Sequence, residues 1–343
     1  MACKYGSHRV LEPKGVLPQP ALRLDNDFST IAENEILVDV RALNIDSASF
    51  TQIEEEAGGD LAKIEAKILS IVAERGKMQN PVTGSGGMFI GTVAKVGAAL
   101  AGRDLAPGDR IASLVSLSLT PLKIDRIVKI HPEIDRVEIV GQAVLFESGI
   151  YAKLPADMDE TLALAALDVA GAPAQAAKLV RPGQSVLILG AGGKSGMLVA
   201  WEAMKRVGPT GRVVGNVYLA EDAATLRDLG LCHEVVVADA TKPVALMDAV
   251  LAANGGAEYD VVFNCVNVQN TELSSILPCR QEGTVYFFSM ATHFGKAALG
   301  AEGVGKDVTM IVGNGYTKGH AEITLAELRE NGRLRRLFET RYV

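Results

Sequence analysis

The sequence predicts an α/β fold, with a doubly wound parallel sheet in the C-terminal half and a β-rich domain before it. Two observations carry this. From about residue 157 apolar strands alternate with helices, the pattern of a parallel sheet with crossover helices. Within that half, Ser185-Val-Leu-Ile-Leu-Gly190 is a buried-strand run that ends in glycines. A helical pattern then starts at once with Met197, Leu198, Ala200, Trp201 and Met204.

Residues 1–155 are expected as the first domain. Glu35–Leu43 and Gly91–Gly97 alternate like strands, and Pro107-Gly108-Asp109 is a turn before a strand from Arg110. One helix, Asp60 to Glu74, interrupts them, with Leu61, Ile64, Ile68, Ile71 and Val72 on one face. Residues 156–343 are expected as the second domain. Its elements are a helix over 159–180, a strand over 185–189, a helix over 196–207 and a strand over 212–217. A helix over 223–229, a strand over 234–237, a helix over 244–253 and a strand over 261–265 follow. A helix over 271–277, strands over 283–288 and 308–312, and a last helix over 324–338 complete it.

The glycine turn points to a dinucleotide. Gly190, Gly193 and Gly196 fit a G-x-x-G-x-x-G pattern, and Gly192 adds a further glycine. Such a turn lets backbone approach a pyrophosphate, and the following helix N-terminus offers free N–H groups and a positive dipole end. The Rossmann arrangement of strand, turn and helix therefore makes Gly190, Gly192, Gly193, Lys194, Ser195 and Gly196 cofactor candidates. Strand-end residues Asn216, Tyr218, Asn264, Cys265, Val266 and Ser289 join them. Gly193-Lys194-Ser195 also matches the end of a nucleoside-triphosphatase loop, but that loop needs a glycine where Ile188 stands. NAD and NADP stay open. The second strand has no acid near its end until Glu221, and only Lys194 and Arg227 offer nearby charge for a 2′-phosphate.

Composition narrows the class. The 343 residues are 48% hydrophobic and 22% charged, a globular profile. The net charge of −7 and the lack of a basic run argue against nucleic acid. No apolar run reaches membrane-span length, and no signal-peptide core stands at the N-terminus. The cysteines Cys3, Cys232, Cys265 and Cys279 form no C-x-x-C pair, which suits reduced thiols in the cytoplasm.

Pro107–Ile111, Gly149–Pro155, Leu179–Gly190 and the later strands resemble the medium-chain dehydrogenase/reductase superfamily. The resemblance implies a GroES-like, partly open barrel first, a nucleotide-binding domain second, and an active site in the cleft between them. Five longer segments, Tyr5–Pro20, Asn44–Gln52, Asn80–Gly87, Leu167–Gln175 and Gly313–His320, resemble the L-erythro-3,5-diaminohexanoate dehydrogenase family. That implies an NAD(P)-dependent amine dehydrogenase of lysine fermentation. Its substrate would be a small diamino acid, oxidatively deaminated at C3. The superfamily also implies a homodimer joined through the nucleotide-binding domains, with Val308–Val312 as a candidate edge.

Against the superfamily's zinc pattern, the first cysteine position falls on Asp46. The Gly-His-Glu segment becomes Gly84-Ser85-Gly86, and a third ligand position falls on or beside Asp168. Two carboxylates without a histidine make a poor zinc site. No metal is expected, and His8, His131, His233, His293 and His320 show no ligand spacing. Carboxylates do suit ammonium groups, through charge-assisted hydrogen bonds. Asp46 and Asp168 are therefore the catalytic candidates, one holding the C5 ammonium and the other taking a proton from the C3 ammonium. The plainer alternative makes Asp46 a turn cap and Asp168 a helix residue with a local partner. For the substrate carboxylate, Arg75 and Lys77, and His8 with Arg9, are candidates; Asn80 and Ser85 are weaker ones, and Glu147, Ser148 and Thr51 could also reach the cleft. Two other functions compete: a zinc-free quinone or enoyl-thioester reductase, and a nucleotide-binding protein without turnover.

Overall fold

The computed structural model describes residues 2–289, 291–313 and 315–343. The chain forms two compact units, Met1–Ala156 and Asp157–Val343. The first contains a small ladder of β1 (Val10–Glu12) and β2 (Arg23–Leu24), then β3 (Glu35–Asn44), α1 (Ser47–Ala57) and α2 (Leu61–Arg75). It continues with β4 (Met88–Val96), β5 (Arg110–Ser113), β6 (Leu122–His131), β7 (Arg136–Phe146) and β8 (Tyr151–Lys153). Strands β6, β7, β3, β4, β5 and β8 lie side by side in that order, all antiparallel. On β3, Ile36, Val38 and Val40 are buried while Asp39 and Arg41 face out, so the alternation builds one face of a core. Phe50 and Ile53 of α1 and Ile64, Ile68 and Ile71 of α2 join that core with Phe89.

The second unit runs α3 (Glu160–Leu167), α4 (Gly171–Leu179), β9 (Ser185–Leu189), α5 (Lys194–Val207), β10 (Arg212–Val217) and α6 (Ala220–Leu229). It continues through β11 (Glu234–Val237), α7 (Pro243–Ala253), β12 (Tyr259–Asn264), α8 (Glu272–Ile276) and β13 (Cys279–Phe287). It ends with α9 (Phe294–Gly303), β14 (Val308–Val312), α10 (His320–Glu330) and α11 (Gly332–Tyr342). The sheet is parallel throughout, in the order β11-β10-β9-β12-β13-β14. The order reverses between β9 and β12. In an open α/β sheet, ligands bind beyond the strand C-termini at such a switch point.

Several elements differ from the sequence expectation. The helix expected over 159–180 is two helices, because Pro173 has no N–H and tolerates only the first turn of a helix. Asp168 thereby becomes the C-cap of α3. The C-terminal helix is also two, broken where the Asn331 side chain accepts the N–H groups of Arg333 and Leu334. Helices α1 and α9 and the long hairpin β6–β7 were not expected from the sequence.

Candidate active site

The glycine turn lies between β9 and α5. Gly190 has φ +76°, and its N–H and that of Ala191 both donate to the Asn216 carbonyl at 3.1 and 2.9 Å. A side chain at Gly196 would meet the Gly190 carbonyl at 2.2 Å, so this glycine sets the close helix–strand packing. Gly193 is different. A Cβ there would meet nothing nearer than the Gly190 carbonyl at 3.6 Å, which leaves open backbone at the start of α5. The turn therefore offers the shape a pyrophosphate requires. Behind it, Ser195 is buried, and burial pushes the Cys265 thiol up to about 12 despite a bond from Ser195.

Lys194, the first residue of α5, places its Nζ 2.7 Å from Asp168 Oδ2. Asp168 sits at a helix C-terminus, where an acid opposes the dipole, and Lys194 offsets that. The same ammonium lies 5.6 Å from the centre of the Tyr342 ring. On the other side of the turn, a Cβ at Gly192 would meet the Asp222 side chain at 2.8 Å, and Arg341 lies 3.6 Å from Asp222.

In the first unit, the 80–87 loop folds onto the start of α1. Asp46 Oδ2 accepts the Gly86 N–H at 3.0 Å. Ser49 Oγ lies 2.6 Å from both Thr83 Oγ1 and Ser85 Oγ, forming a hydroxyl cluster beside it. Asn80 is the keystone. Its amide donates to Ser49 O and Gln52 Oε1 while its Oδ1 accepts from Val82 and Thr83. Gly86 and Gly87 are required by close approach, since side chains there would run into the backbone of Met78 and Asn44.

Residues 8–155 match the family model described as the L-erythro-3,5-diaminohexanoate dehydrogenase N-terminal domain. A relative from Acetoanaerobium sticklandii named L-erythro-3,5-diaminohexanoate dehydrogenase is 70% identical over 342 residues, 99% of each chain. One of the same name from Fusobacterium nucleatum is 68% identical, again over 99% of each. The chain belongs to the L-erythro-3,5-diaminohexanoate dehydrogenase family. It is an oxidoreductase. Its fold is that of the medium-chain reductases. The CurK enoyl reductase superposes with TM-score 0.53 at 16% identity, covering 95% of this chain and 87% of that one. A mycobacterial Rv1454c chain, solved with NADPH, superposes with TM-score 0.51 at 16% identity, covering 93% and 84%.

The other candidates in this family member fall into distinct settings. Arg9 and His8 both bond Glu35, and Arg9 and Glu35 are buried, so this trio fastens the N-terminal segment to β3. Lys77 is fully buried and donates to the carbonyls of Pro18 and Gln19, with burial lowering its pKa to about 8. Arg75 bonds Gln79, and Glu147 accepts from Asn34. Lys77, Arg75 and Glu147 are thus engaged within the first unit. Thr51 is exposed on α1. Near the turn, the Asn216 amide faces Ala238 O of the β11 end at 3.0 Å, and Tyr218 is exposed. Asn264 bonds Thr271 and Ser275 and accepts the Val266 N–H, which shapes the turn after β12. Ser289 Oγ accepts from Ala291. Arg227, a candidate for a 2′-phosphate, donates instead to Val235 O.

Sequence reasoning missed Ser49, Thr83, Asp222, Arg341 and Tyr342. The Asn44–Gln52 and Asn80–Gly87 segments did contain the first two. The last three meet the glycine turn only through tertiary packing. Among the described residues no group of three or more His, Cys, Asp or Glu side chains could hold a metal ion. Among the described residues no helix is long and apolar enough to cross a membrane.

Proposed function

We propose that this chain oxidatively deaminates L-erythro-3,5-diaminohexanoate at C3, yielding 5-amino-3-oxohexanoate and ammonium with reduction of NAD or NADP. The reaction would serve lysine fermentation in the cytoplasm. The observation that carries the reading is 70% identity over 99% of the chain to a relative of that name. The geometry agrees. The open backbone at Gly193, the left-handed turn at Gly190 and the N-terminus of α5 fit a dinucleotide pyrophosphate. A fold neighbour was solved with NADPH.

Gly190, Gly193 and the N-terminus of α5 would hold the dinucleotide, whose nicotinamide would supply a hydride acceptor for C3. The chain must deal with the proton. An ammonium carbon releases hydride only after nitrogen loses a proton, and the Asp168 carboxylate, at the mouth of the glycine turn, is the acceptor. Water then adds to the resulting iminium carbon and ammonium leaves, giving the ketone. Asp46, with the hydroxyls of Ser49, Thr83 and Ser85 beside it, is the first unit's candidate for the C5 ammonium. The reading needs no zinc, because by the sequence resemblance Asp46, Ser85 and Asp168 fall at the superfamily's metal-ligand positions, and two carboxylates without a histidine make a poor zinc site.

The test is reduction of NAD⁺ and NADP⁺ by the diamine, with lysine and 3-aminobutyrate as comparison substrates. Turnover with the diamine alone, unchanged after exhaustive chelation, is expected. Inactivity with the diamine alongside rapid quinone or enoyl-thioester reduction would overturn the reading. We also propose a homodimer. Among the described residues strand β14 pairs only with β13 and ends in an exposed Val312, an edge that invites a second copy. Light scattering at micromolar concentration should give twice the chain mass.

A further inference from the structure

Lys194 has two claims on its charge. It is the first residue of α5, directly after the open backbone of Gly193, so a pyrophosphate at the turn would approach the base of its side chain. Its Nζ, however, lies 2.7 Å from Asp168 Oδ2. The ring of Tyr342 flanks the ammonium at 5.6 Å and is itself fixed edge-on, 5.0 Å from the buried Phe338 ring. Without Lys194, Asp168 would leave a carboxylate and the negative end of α3 together, a strong attractant for another ammonium. The lysine ammonium is compact and sits on a flexible four-carbon stem, so exchange between partners costs little rearrangement.

We propose that Lys194 is a shared cation: it covers Asp168 in the free protein and moves to the cofactor pyrophosphate on binding, which frees Asp168 for the substrate ammonium. This rests on the reading that Asp168 receives that ammonium. The pair then couples the two sites and favours cofactor binding before substrate. No covalent step is involved; one cation exchanges one anionic partner for another. By linkage the coupling runs both ways, so the diamine also strengthens nucleotide binding by the same factor.

The experiment is calorimetric titration of the whole protein with L-erythro-3,5-diaminohexanoate, with and without saturating ADP-ribose. ADP-ribose carries the pyrophosphate but no nicotinamide, so nothing turns over. In the wild type, ADP-ribose should tighten diamine binding by about fivefold, the ceiling for a half-exposed ion pair. In Lys194→Met the diamine should bind the free protein tightly, and ADP-ribose should add nothing. Lys194→Arg, which keeps the charge, should restore the coupling, a rescue that a merely structural role would not produce. Equal diamine affinity with and without ADP-ribose in the wild type overturns the proposal. So does coupling that survives in Lys194→Met. Asp168→Asn separates this from the underlying reading. If that variant weakens diamine binding while Lys194→Met stays coupled, the reading stands and the exchange fails. If Asp168→Asn binds the diamine normally, the reading fails and the exchange falls with it.

Discussion

In the first unit the deeply buried acid is Glu35, and it is held by Arg9 through two 2.7 Å bonds, by His8 and by the Ala32 N–H. The second buries two acids just as deeply: Glu202, ion-paired with Lys205 and Arg206, and Glu327, neither of whose carboxyl oxygens has a hydrogen-bond partner. The exposed acids differ in the same way. Asp46 is bonded by the Gly86 backbone N–H, a donor that cannot leave, whereas Asp168 is covered by the ammonium of Lys194, carried on a flexible four-carbon stem. Fixed donors make a carboxylate part of the architecture and leave its charge available. A mobile or missing partner makes its charge conditional on ligand or pH.

The largest expected effect breaks the fixed arrangement. Arg9→Met should strand Glu35 as an uncompensated buried charge, at a cost of about 3–5 kcal/mol. Burial pushes the Glu35 carboxyl up, yet Arg9, the Ala32 N–H and His8 together hold it below its ordinary value. Calorimetry should show a clear loss of melting temperature. A variant as stable as the wild type would place the N-terminal fastening elsewhere.

The next effect contrasts Asp168 with Asp46. Asp168→Asn should lower kcat/KM for the diamine by about tenfold to a hundredfold, since hydrogen bonds to charged groups are worth about 1.5–3 kcal/mol. Asp46→Asn should act more on KM if Asp46 holds the C5 ammonium, because its own donor is a fixed backbone amide. Wild-type kinetics in both variants would remove the two-carboxylate site and leave the hydroxyls of Ser49, Thr83 and Ser85 to be tested.

Part of this contrast was legible in the sequence. The apolar run 185–189 and its glycines marked β9 and the turn, because strand period and glycine chemistry are local. Asp46 and Asp168 stood out by type and position. Their partners did not. Lys194 is 26 residues from Asp168, and Gly86 is 40 from Asp46, so only packing joins them. The break that exposes Asp168 was readable from Pro173, but the apolar run around it read as one continuous helix. Glu327 gave no signal, since an acid on an amphipathic helix normally faces water.

Glu327 gives the prediction with the sharpest sign. Burial first, then the neighbouring Glu202 carboxylate, raises its pKa well above 4.5. Lys205 and Arg206 of α5 oppose this, and Glu330 on its own helix reinforces it. A raised folded-state pKa means the protonated acid favours the fold. That contribution is full below the unfolded value and is lost as pH rises toward and through the folded one. Across that window the wild type should lose stability relative to Glu327→Gln, by up to about 1.4 kcal/mol per pH unit, because glutamine cannot ionise. Titrating groups far from Glu327 cancel in the difference. Melting temperatures of the two proteins from pH 5 to pH 8 should therefore diverge, with the variant above. Convergence with rising pH would show that Glu327 is ionised and held by Lys205, and would make the second unit's buried acid as fixed as the first's.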